Sequence, residues 1–436
     1  MLNCSAHRKF LAVILVPLVL LLSCMVLPGH WRPGWNEPWK GKGAPPETAA
    51  SWKLGKQEMA DGRFIGLALS GGGSRAANFG AAVMLELQRL GLLERVDVVS
   101  GVSGGAVAAA YYGLRPGPLD AKAVQDDLGY NFQKTWLWRW LLPQNIFRFW
   151  FSDFTRSDVM VQVFNNQLYH HKTFADFRPY PKILINSTLR NDHTRFTFTD
   201  ERFSETLHSN LARYQVANAV NASSAFPGAL DDVTLQQYAE PPQYFHLYDG
   251  GPKDNLGVQA ILEFLIRNVA GTNLDTLFPD GCLIFVVDAS PALTNDSLGN
   301  QESDRTWLDY FVNTNAIDAS DVMLGDLRTR ILKETGIRFV DRDIRGQAQL
   351  PDRHYCRCEV RHIALRHLLY RADLPPEDDA FVKRVTRIKT NFGVSSEEQA
   401  DLFKAAKLLL SEMETLRLLP DESMKTACGT YGDFKK

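Results

Sequence analysis

The chain has 436 residues, of which 45% are hydrophobic and 22% are charged, and its formal net charge is −2. This composition is typical of a folded protein with a large core. The near-neutral charge balance provides no sustained basic surface, which argues against nucleic-acid binding.

The N-terminus predicts attachment to a membrane. Arg8 and Lys9 precede an apolar run over residues 10–27, and a basic start followed by such a run is typical of an export signal. The run is close to the roughly 18 residues of a spanning helix, so a retained transmembrane anchor is the alternative. Leu-Leu-Ser-Cys at 21–24 also resembles the bacterial lipobox, in which Cys24 would be lipidated. Either alternative places the rest of the chain on the exported side, in a bacterial cell envelope.

The chain after this leader divides into two parts. Residues 28–60, in which Gly, Pro and Trp alternate over the first half, are predicted to be a linker. Residues 61–436 contain no further Gly/Pro/Ser-rich linker and are predicted to form one continuous domain.

Two glycine clusters open this domain, each after an apolar run typical of a strand and before an alanine-rich stretch typical of a helix. The second cluster, Gly-Val-Ser-Gly-Gly at 101–105, fits Gly-x-Ser-x-Gly, the turn that presents a nucleophilic serine. Ser103 is therefore the candidate nucleophile, and Gly101, Gly104 and Gly105 are the glycines that such a tight turn requires.

The first cluster, Ser-Gly-Gly-Gly-Ser-Arg at 70–75, could supply the oxyanion donors that a serine nucleophile requires. Gly71, Gly72 and Gly73 could present backbone amides to a developing oxyanion, and Arg75 could add positive charge or only brace the loop. The same loop also fits the dinucleotide fingerprint Gly-x-Gly-x-x-Ala. That alternative is weak, because a dinucleotide site needs an acidic residue at the end of the next strand, where this chain has Gly-Val-Ser at 101–103.

Further along, residues 135–151 combine many aromatic residues with arginine. Such a segment suits either lipid headgroups at a membrane surface or packing over the core. Residues 256–269 and 395–419 have helical periodicity, 282–288 predicts a buried strand, and 307–334 predicts one or two helices. The arginine-rich stretch 353–371 predicts a half-exposed strand and helix.

The cysteines give little functional information. Cys282 is predicted to be a buried core residue. Cys356, Cys358 and Cys428 are candidates for a disulfide in an oxidising envelope. The spacing of Cys356 and Cys358 is too close for a zinc pair, and neither a metal nor a cofactor is expected.

With these motifs the chain resembles the patatin-like phospholipase family. The glycine loop at 70–75 and the serine turn at 101–105 have the family's order and spacing, as do Asn-Ala-Ser-Ser-Ala-Phe-Pro-Gly at 221–228 and Tyr-Asp-Gly-Gly at 248–251. Segments 182–188 and 194–199 are similar to its paired internal strands. The resemblance covers about residues 64–290, and the C-terminal part is a helical extension beyond it.

This resemblance implies a three-layer α/β/α hydrolase with a central, mostly parallel sheet. It implies that Asp249 is the partner of Ser103 in a Ser–Asp dyad, which cleaves a carboxylic ester of a membrane lipid through an acyl-enzyme, in the manner of a phospholipase A or lysophospholipase. A free aspartate is a weak base, so partial burial would have to raise its pKa.

Two alternatives remain. A Ser–Asp–His triad would use one of four histidines: His246, His354, His362 or His367. A catalytically weak lipid-binding protein of the envelope is the non-enzymatic alternative, although both dyad residues are present.

Overall fold

The computed structural model describes residues 34–55, 62–269, 274–291, 324–325, 327–328, 330–331, 337–339, 345–348, 358–370, 374–375 and 378–415. The predicted leader at 1–27 lies outside these residues. Within them, no helix combines the length and the apolar character needed to cross a bilayer.

Ten strands are described: β1 (Phe64–Leu69), β2 (Val98–Val102), β3 (Lys182–Leu189), β4 (Arg195–Phe198), β5 (Val233–Gln237), β6 (Gln243–Tyr248), β7 (Cys282–Asp288), β8 (Ile337–Phe339), β9 (Arg345–Ala348) and β10 (Cys358–Ala364). They form one sheet in the order β5-β6-β3-β2-β1-β7-β10-β9-β8, with β4 also paired to β3. The five central strands β3, β2, β1, β7 and β10 are parallel, and the outer pairings are antiparallel.

The described α-helices are α1 (Gly73–Arg89), α2 (Gly104–Gly113), α3 (Ala121–Leu128), α4 (Phe132–Trp140), α5 (Pro143–Phe151), α6 (Arg156–Phe164), α7 (Val216–Ser223), α8 (Gly251–Asp254), α9 (Val258–Val269), α10 (Leu274–Leu277), α11 (Asp379–Val385) and α12 (Ser396–Thr415). Short 3-10 or π turns occur at Leu93–Arg95, Asn165–Tyr169, Phe174–Asp176, Arg202–Thr206, Leu211–Arg213 and Leu365–Tyr370.

The core lies on both faces of the sheet. Successive side chains of β1 alternate between two apolar clusters, with Ile65 and Leu67 in one and Phe64 and Ala68 in the other. Helix α1 contributes to the first cluster and α9 to the second. A strand that is buried on both faces has a continuous apolar sequence, and β1 and β7 could therefore be predicted from the sequence. The predicted three-layer α/β/α fold with a mostly parallel sheet is confirmed.

Strand β3 brings two distant turns together at the carboxyl ends of the central strands. Val102, the last residue of β2, pairs with Asn186 of β3. Tyr248, the last residue of β6, pairs with Thr188 of β3. The residues that follow β2 and β6 therefore meet beside the same part of β3.

The described strands and helices beyond residue 290 pack against the rest of the described fold. Strand β10 extends the sheet by pairing in parallel with β7, and Leu402 and Leu409 of α12 are buried in the cluster that contains α1. The prediction of a half-exposed strand at 353–371 is wrong for β10, because β10 lies between β7 and β9 and His362 is fully buried.

The predicted linker and Cys282 each make contacts that the sequence did not reveal. Residues 34–55, within the predicted linker, lie against the body: Asn36 is buried and accepts from the amide of Gln236, and the Tyr214 hydroxyl donates to Gly34 O. Cys282 is a buried core residue, as predicted, in the apolar cluster that contains Phe64, and it is also disulfide-bonded. Cys358 lies opposite it in the register of β7 and β10. Cys356 and Cys428 lie outside the described residues.

Candidate active site

Ser103 occupies the turn between β2 and α2 in a backbone conformation that side chains rarely adopt, with φ 51° and ψ −120°. Its amide donates to the Ser223 hydroxyl at 2.8 Å, and that hydroxyl donates to Asn186 O at 2.5 Å. These contacts hold the strained turn in place, since such strain persists only where the surroundings enforce it. The Ser103 side chain thus stands at the N-terminus of α2, where the helix dipole favours negative charge.

The glycines around Ser103 allow backbones to approach closely. A Cβ on Gly104 would lie 1.9 Å from Gly73 O, so no side chain fits between the serine turn and the first glycine loop. Gly101 and Gly105 are equally tight against neighbouring backbone, at 2.6 Å and 2.2 Å from the nearest oxygen. The two glycine clusters therefore form one compact unit.

Asp249 follows β6 and is buried beside Ser103, whose hydroxyl hydrogen-bonds to its carboxylate. The amide of Gly251 donates to the same carboxylate at 2.8 Å, and Thr188 donates to Asp249 O at 2.8 Å. Burial raises the pKa of the Asp249 carboxyl from 3.8 to about 6, although both hydrogen bonds to the carboxylate oppose this shift. The group is thus a stronger base than a free aspartate and is still mostly ionised at neutral pH.

The first glycine loop turns its backbone toward the serine, but its three glycines are not equivalent. The amide of Gly71 donates to Asn255 O at 2.9 Å, so it is not available as an oxyanion donor. Within the described part of the chain, the amides of Gly72 and Gly73 have no protein acceptor. These two amides precede or begin α1, next to the serine turn, and are available to donate to a bound group.

Arg75 braces this loop. Its Nε donates to Ala289 O at 2.6 Å and its Nη1 donates to Ile388 O at 2.5 Å, and the side chain is buried. Of the two roles considered for Arg75, the contacts favour the brace rather than direct contact with an oxyanion. It ties the glycine loop to the end of β7 and to the C-terminal segment.

Asn255 is a residue of the site that the motifs did not single out. Its backbone carbonyl holds Gly71, and its side-chain Oδ1 lies 2.4 Å from where a Cβ on Gly71 would stand. The same Oδ1 is 3.1 Å from the Cβ position of Gly251, whose amide binds Asp249. Asn255 thus links the aspartate turn to the glycine loop. Its position six residues after Asp249, past a turn of glycines, was the available signal.

The three candidate histidines that the structure describes contact residues other than Ser103 and Asp249. His246 is half-exposed and its Nδ1 lies 3.2 Å from Asp232. His362 is buried and its Nε2 lies 3.1 Å from Asp288 Oδ2, while the ring of His367 stacks edge-on against His362. Burial lowers the pKa of His367 to about 3, so this ring stays neutral. His354 lies outside the described residues.

Neither of the cofactor arrangements considered has support here. The described residues contain no group of three or more His, Cys, Asp or Glu side chains placed to hold a metal ion. The strand after the first glycine loop, β2, leads into Ser103 rather than ending on an acidic residue.

The fold and the site together define an α/β protein with a serine turn facing a glycine loop. Residues 67–262 match the family of patatin-like phospholipases. The match to that family thus covers a little under half of the chain and includes the first glycine loop, Ser103 and Asp249.

Among solved structures, the chain is similar to human GIVD cytosolic phospholipase A2, with 12% identity, a TM-score of 0.49 and coverage of 86% of this chain and 65% of that chain. It is also similar to VipD from Legionella pneumophila, with 12% identity, a TM-score of 0.32 and coverage of 90% and 73%. This chain thus spans less than two thirds of the human enzyme's length. No curated protein matches the sequence significantly.

Proposed function

We propose that this protein hydrolyses carboxylic esters of membrane lipids with a Ser103–Asp249 dyad, through an acyl-enzyme. The observation that carries the proposal is the hydrogen bond from the Ser103 hydroxyl to a buried carboxylate with a raised pKa. The family match supports a lipid ester as the class of substrate.

The dyad performs both halves of the reaction. Ser103 Oγ attacks the ester carbonyl carbon while its proton passes to Asp249, and the oxyanion accepts hydrogen bonds from the amides of Gly72 and Gly73. Asp249 then returns the proton to the departing alcohol, which leaves an acyl-Ser103 ester. A water molecule attacks this ester and loses a proton to Asp249, which passes the proton to Ser103 Oγ as the fatty acid is released. Loss of one oxyanion donor costs roughly 3–4 kcal/mol in comparable sites, so the glycine loop contributes substantially.

The same proposal includes the place of action. The basic start and apolar run at 8–27 support attachment to the membrane with the hydrolase on its exported side. Fractionation of cells that express the full chain tests this part alone: recovery in the soluble fraction would contradict it.

Labelling with a fluorophosphonate, which reacts covalently with activated serines, tests the nucleophile. The wild-type protein should be labelled at Ser103, and Ser103→Ala should lose both the label and hydrolysis of a short-chain ester while its circular dichroism stays unchanged. Ser204→Ala is the matched control, because Ser204 Oγ donates to Asp200 O in a different part of the chain.

Label that persisted in Ser103→Ala would assign another serine. If His362→Ala abolished activity to the same extent as Ser103→Ala without unfolding the protein, a triad would replace the dyad. A wild-type protein that binds lipid but neither reacts with the probe nor releases fatty acid would be a lipid-binding protein instead.

A further inference from the structure

Helices α4 and α5 form a hairpin with an unusually apolar outer surface. Trp138, Trp150 and Phe151 are 66%, 75% and 60% exposed, and Leu141, Leu142, Ile146 and Phe149 are also exposed. In the rest of the described chain only Tyr244 and Leu369 are large hydrophobic residues with comparable exposure. Contiguous exposed patches of this kind mark interaction surfaces.

The inner surface of the hairpin is well packed, so the outward rings are not a poorly formed core. Trp136 is buried and its Nε1 donates to Arg156 O at 2.9 Å. Phe132 packs on Phe164 with ring centroids 5.6 Å apart. Between the two helices, the rings of Trp140 and Phe149 meet edge to face at 4.7 Å. The hairpin is therefore a fixed element that presents one face inward and the other outward.

The charges on the hairpin all have the same sign. Residues 128–152 contain Lys134, Arg139 and Arg148 and no acidic residue. Tryptophan and phenylalanine rings suit headgroup depth in a bilayer, and cations beside them are attracted to anionic lipids. Two copies of this face would bring like charges together in a symmetric dimer, which disfavours a second copy as the occupant.

The hairpin starts at the rim of the candidate active site. The amide of Gln133 in α4 donates to Phe392 O at 2.9 Å. The preceding residue, Asn391, accepts at its carbonyl from the Ser74 amide at 2.7 Å, next to the glycine loop. A surface that contacts the hairpin is thus adjacent to the loop that faces Ser103.

We infer that the outer face of α4 and α5 docks onto a bilayer that contains anionic phospholipid, and that this docking presents lipid esters to the rim of the site. The second part of the inference, the presentation of lipid esters to the site, rests on the proposed lipid hydrolysis. Binding itself is independent of the dyad, so Ser103→Ala should bind vesicles as well as the wild-type protein does.

Full-length protein and phosphatidylcholine vesicles, with or without a fifth of phosphatidylglycerol, test the inference by co-sedimentation. Trp138→Ser/Trp150→Ser should weaken partitioning by at least about tenfold, because each ring gives up apolar burial in the interface. Trp138→Phe/Trp150→Phe should retain it. Leu369→Ser is the control for loss of an exposed apolar side chain elsewhere, at 38% exposure. Since all variants carry the same N-terminal leader, differences between them belong to the hairpin.

Charge is tested separately. Lys134→Glu should weaken partitioning onto the anionic vesicles about fivefold or more and leave neutral vesicles unaffected. Lys407→Glu, the same change on an exposed residue of α12, should have no effect.

Quenching of tryptophan fluorescence by brominated lipid gives an independent measurement of insertion. The wild-type protein, with nine tryptophans, should be quenched more than Trp138→Phe/Trp150→Phe. Equal quenching of these two proteins, or equal partitioning of the serine double variant and the wild-type protein, would overturn the inference. So would a stable dimer that the serine double variant dissociates. Normal vesicle binding by a wild-type protein without esterase activity would refute the proposed dyad but not the proposed docking surface.

Discussion

The burial of Asp249 determines how activity should depend on pH. Its pKa is raised to about 6, and in the proposed dyad only the ionised carboxylate can accept the proton of Ser103. We expect kcat/KM for a soluble ester to fall about tenfold per unit as the pH drops below about 6 and to level off above it. Steady-state kinetics on a short-chain ester measure this profile. A midpoint near 7 that disappears on substitution of one histidine would contradict the assignment.

The same burial should cost stability. In the unfolded chain Asp249 titrates near 3.8, whereas in the fold its pKa is about 6, so stability is lost as the pH rises from about 4 to about 6 and the full penalty applies above that. Asp249→Asn is neutral at every pH and avoids this penalty. We expect the variant to be inactive yet more stable than the wild-type protein by up to about 3 kcal/mol at pH 8.

Urea denaturation at pH 8 and pH 4 compares the two proteins. The difference in the free energy of unfolding should be much smaller at pH 4, where the carboxyl is protonated in the fold and only partly ionised in the unfolded chain. A variant that is less stable at pH 8 would show that the carboxylate is stabilised by its hydrogen bonds rather than strained by burial.

At the level of single residues, Ser103 was predicted from its Gly-x-Ser-x-Gly turn, and Asp249 from the resemblance to the patatin-like phospholipases. The contacts of Gly71, Arg75 and Asn255 could not be predicted in the same way. Each depends on a backbone carbonyl or side chain brought close by the tertiary fold, such as Ile388 for Arg75. A motif identifies which residue types are present, but their hydrogen-bond partners lie elsewhere in the chain and cannot be read from the motif.

Among the elements, the contact between the two glycine turns should be intolerant of added atoms. Gly104→Ala would place a methyl group 1.9 Å from Gly73 O and push the glycine loop away from Ser103. Overpacking of this kind costs roughly 1–3 kcal/mol. A shift of about 1 Å in the oxyanion donors lowers turnover by roughly a hundredfold. Thermal unfolding and ester kinetics measure the two effects.

Gly80→Ala in α1 is the matched control. A Cβ there would meet Leu69 and Ala108 at ordinary distances of 3.5 Å and 3.7 Å. Alanine is also the better helix former by up to about 1 kcal/mol, so this variant should be as stable as the wild-type protein or more stable. Full activity in Gly104→Ala would mean that the loop does not supply the donors.

Strands were predictable where burial on both faces gives a continuous apolar run. The apolar runs of β1 and β7 predicted strands, and the predicted bounds 282–288 are those of β7. Strand β10 was misjudged because Glu, Arg and His alternate with its apolar residues, which suggests an exposed face. The structure instead buries His362 by pairing it with Asp288, a contact between side chains 74 residues apart.

Across the whole molecule, the C-terminal segment completes the site. Ile388 O holds Arg75 and Asn391 O holds the Ser74 amide, while α12 covers α1. We expect a chain that ends at residue 377 to react with fluorophosphonate at Ser103 at least about a hundredfold more slowly. Addition of a separate polypeptide of residues 378–415 should restore part of the rate. Unchanged labelling of the shortened chain would show that the glycine loop holds its conformation without this segment.

The carbonyls that brace the glycine loop are also among the last groups of the fold to be synthesised. Ser103 leaves the ribosome long before Asn391, so a nascent chain carries its candidate nucleophile beside an unbraced loop until the C-terminal segment has been synthesised. The hydrolase proposed above would therefore remain inactive while its chain is incomplete. Its activity would begin only after the chain closes on itself, and the slow labelling expected of the chain ending at residue 377 measures that latency.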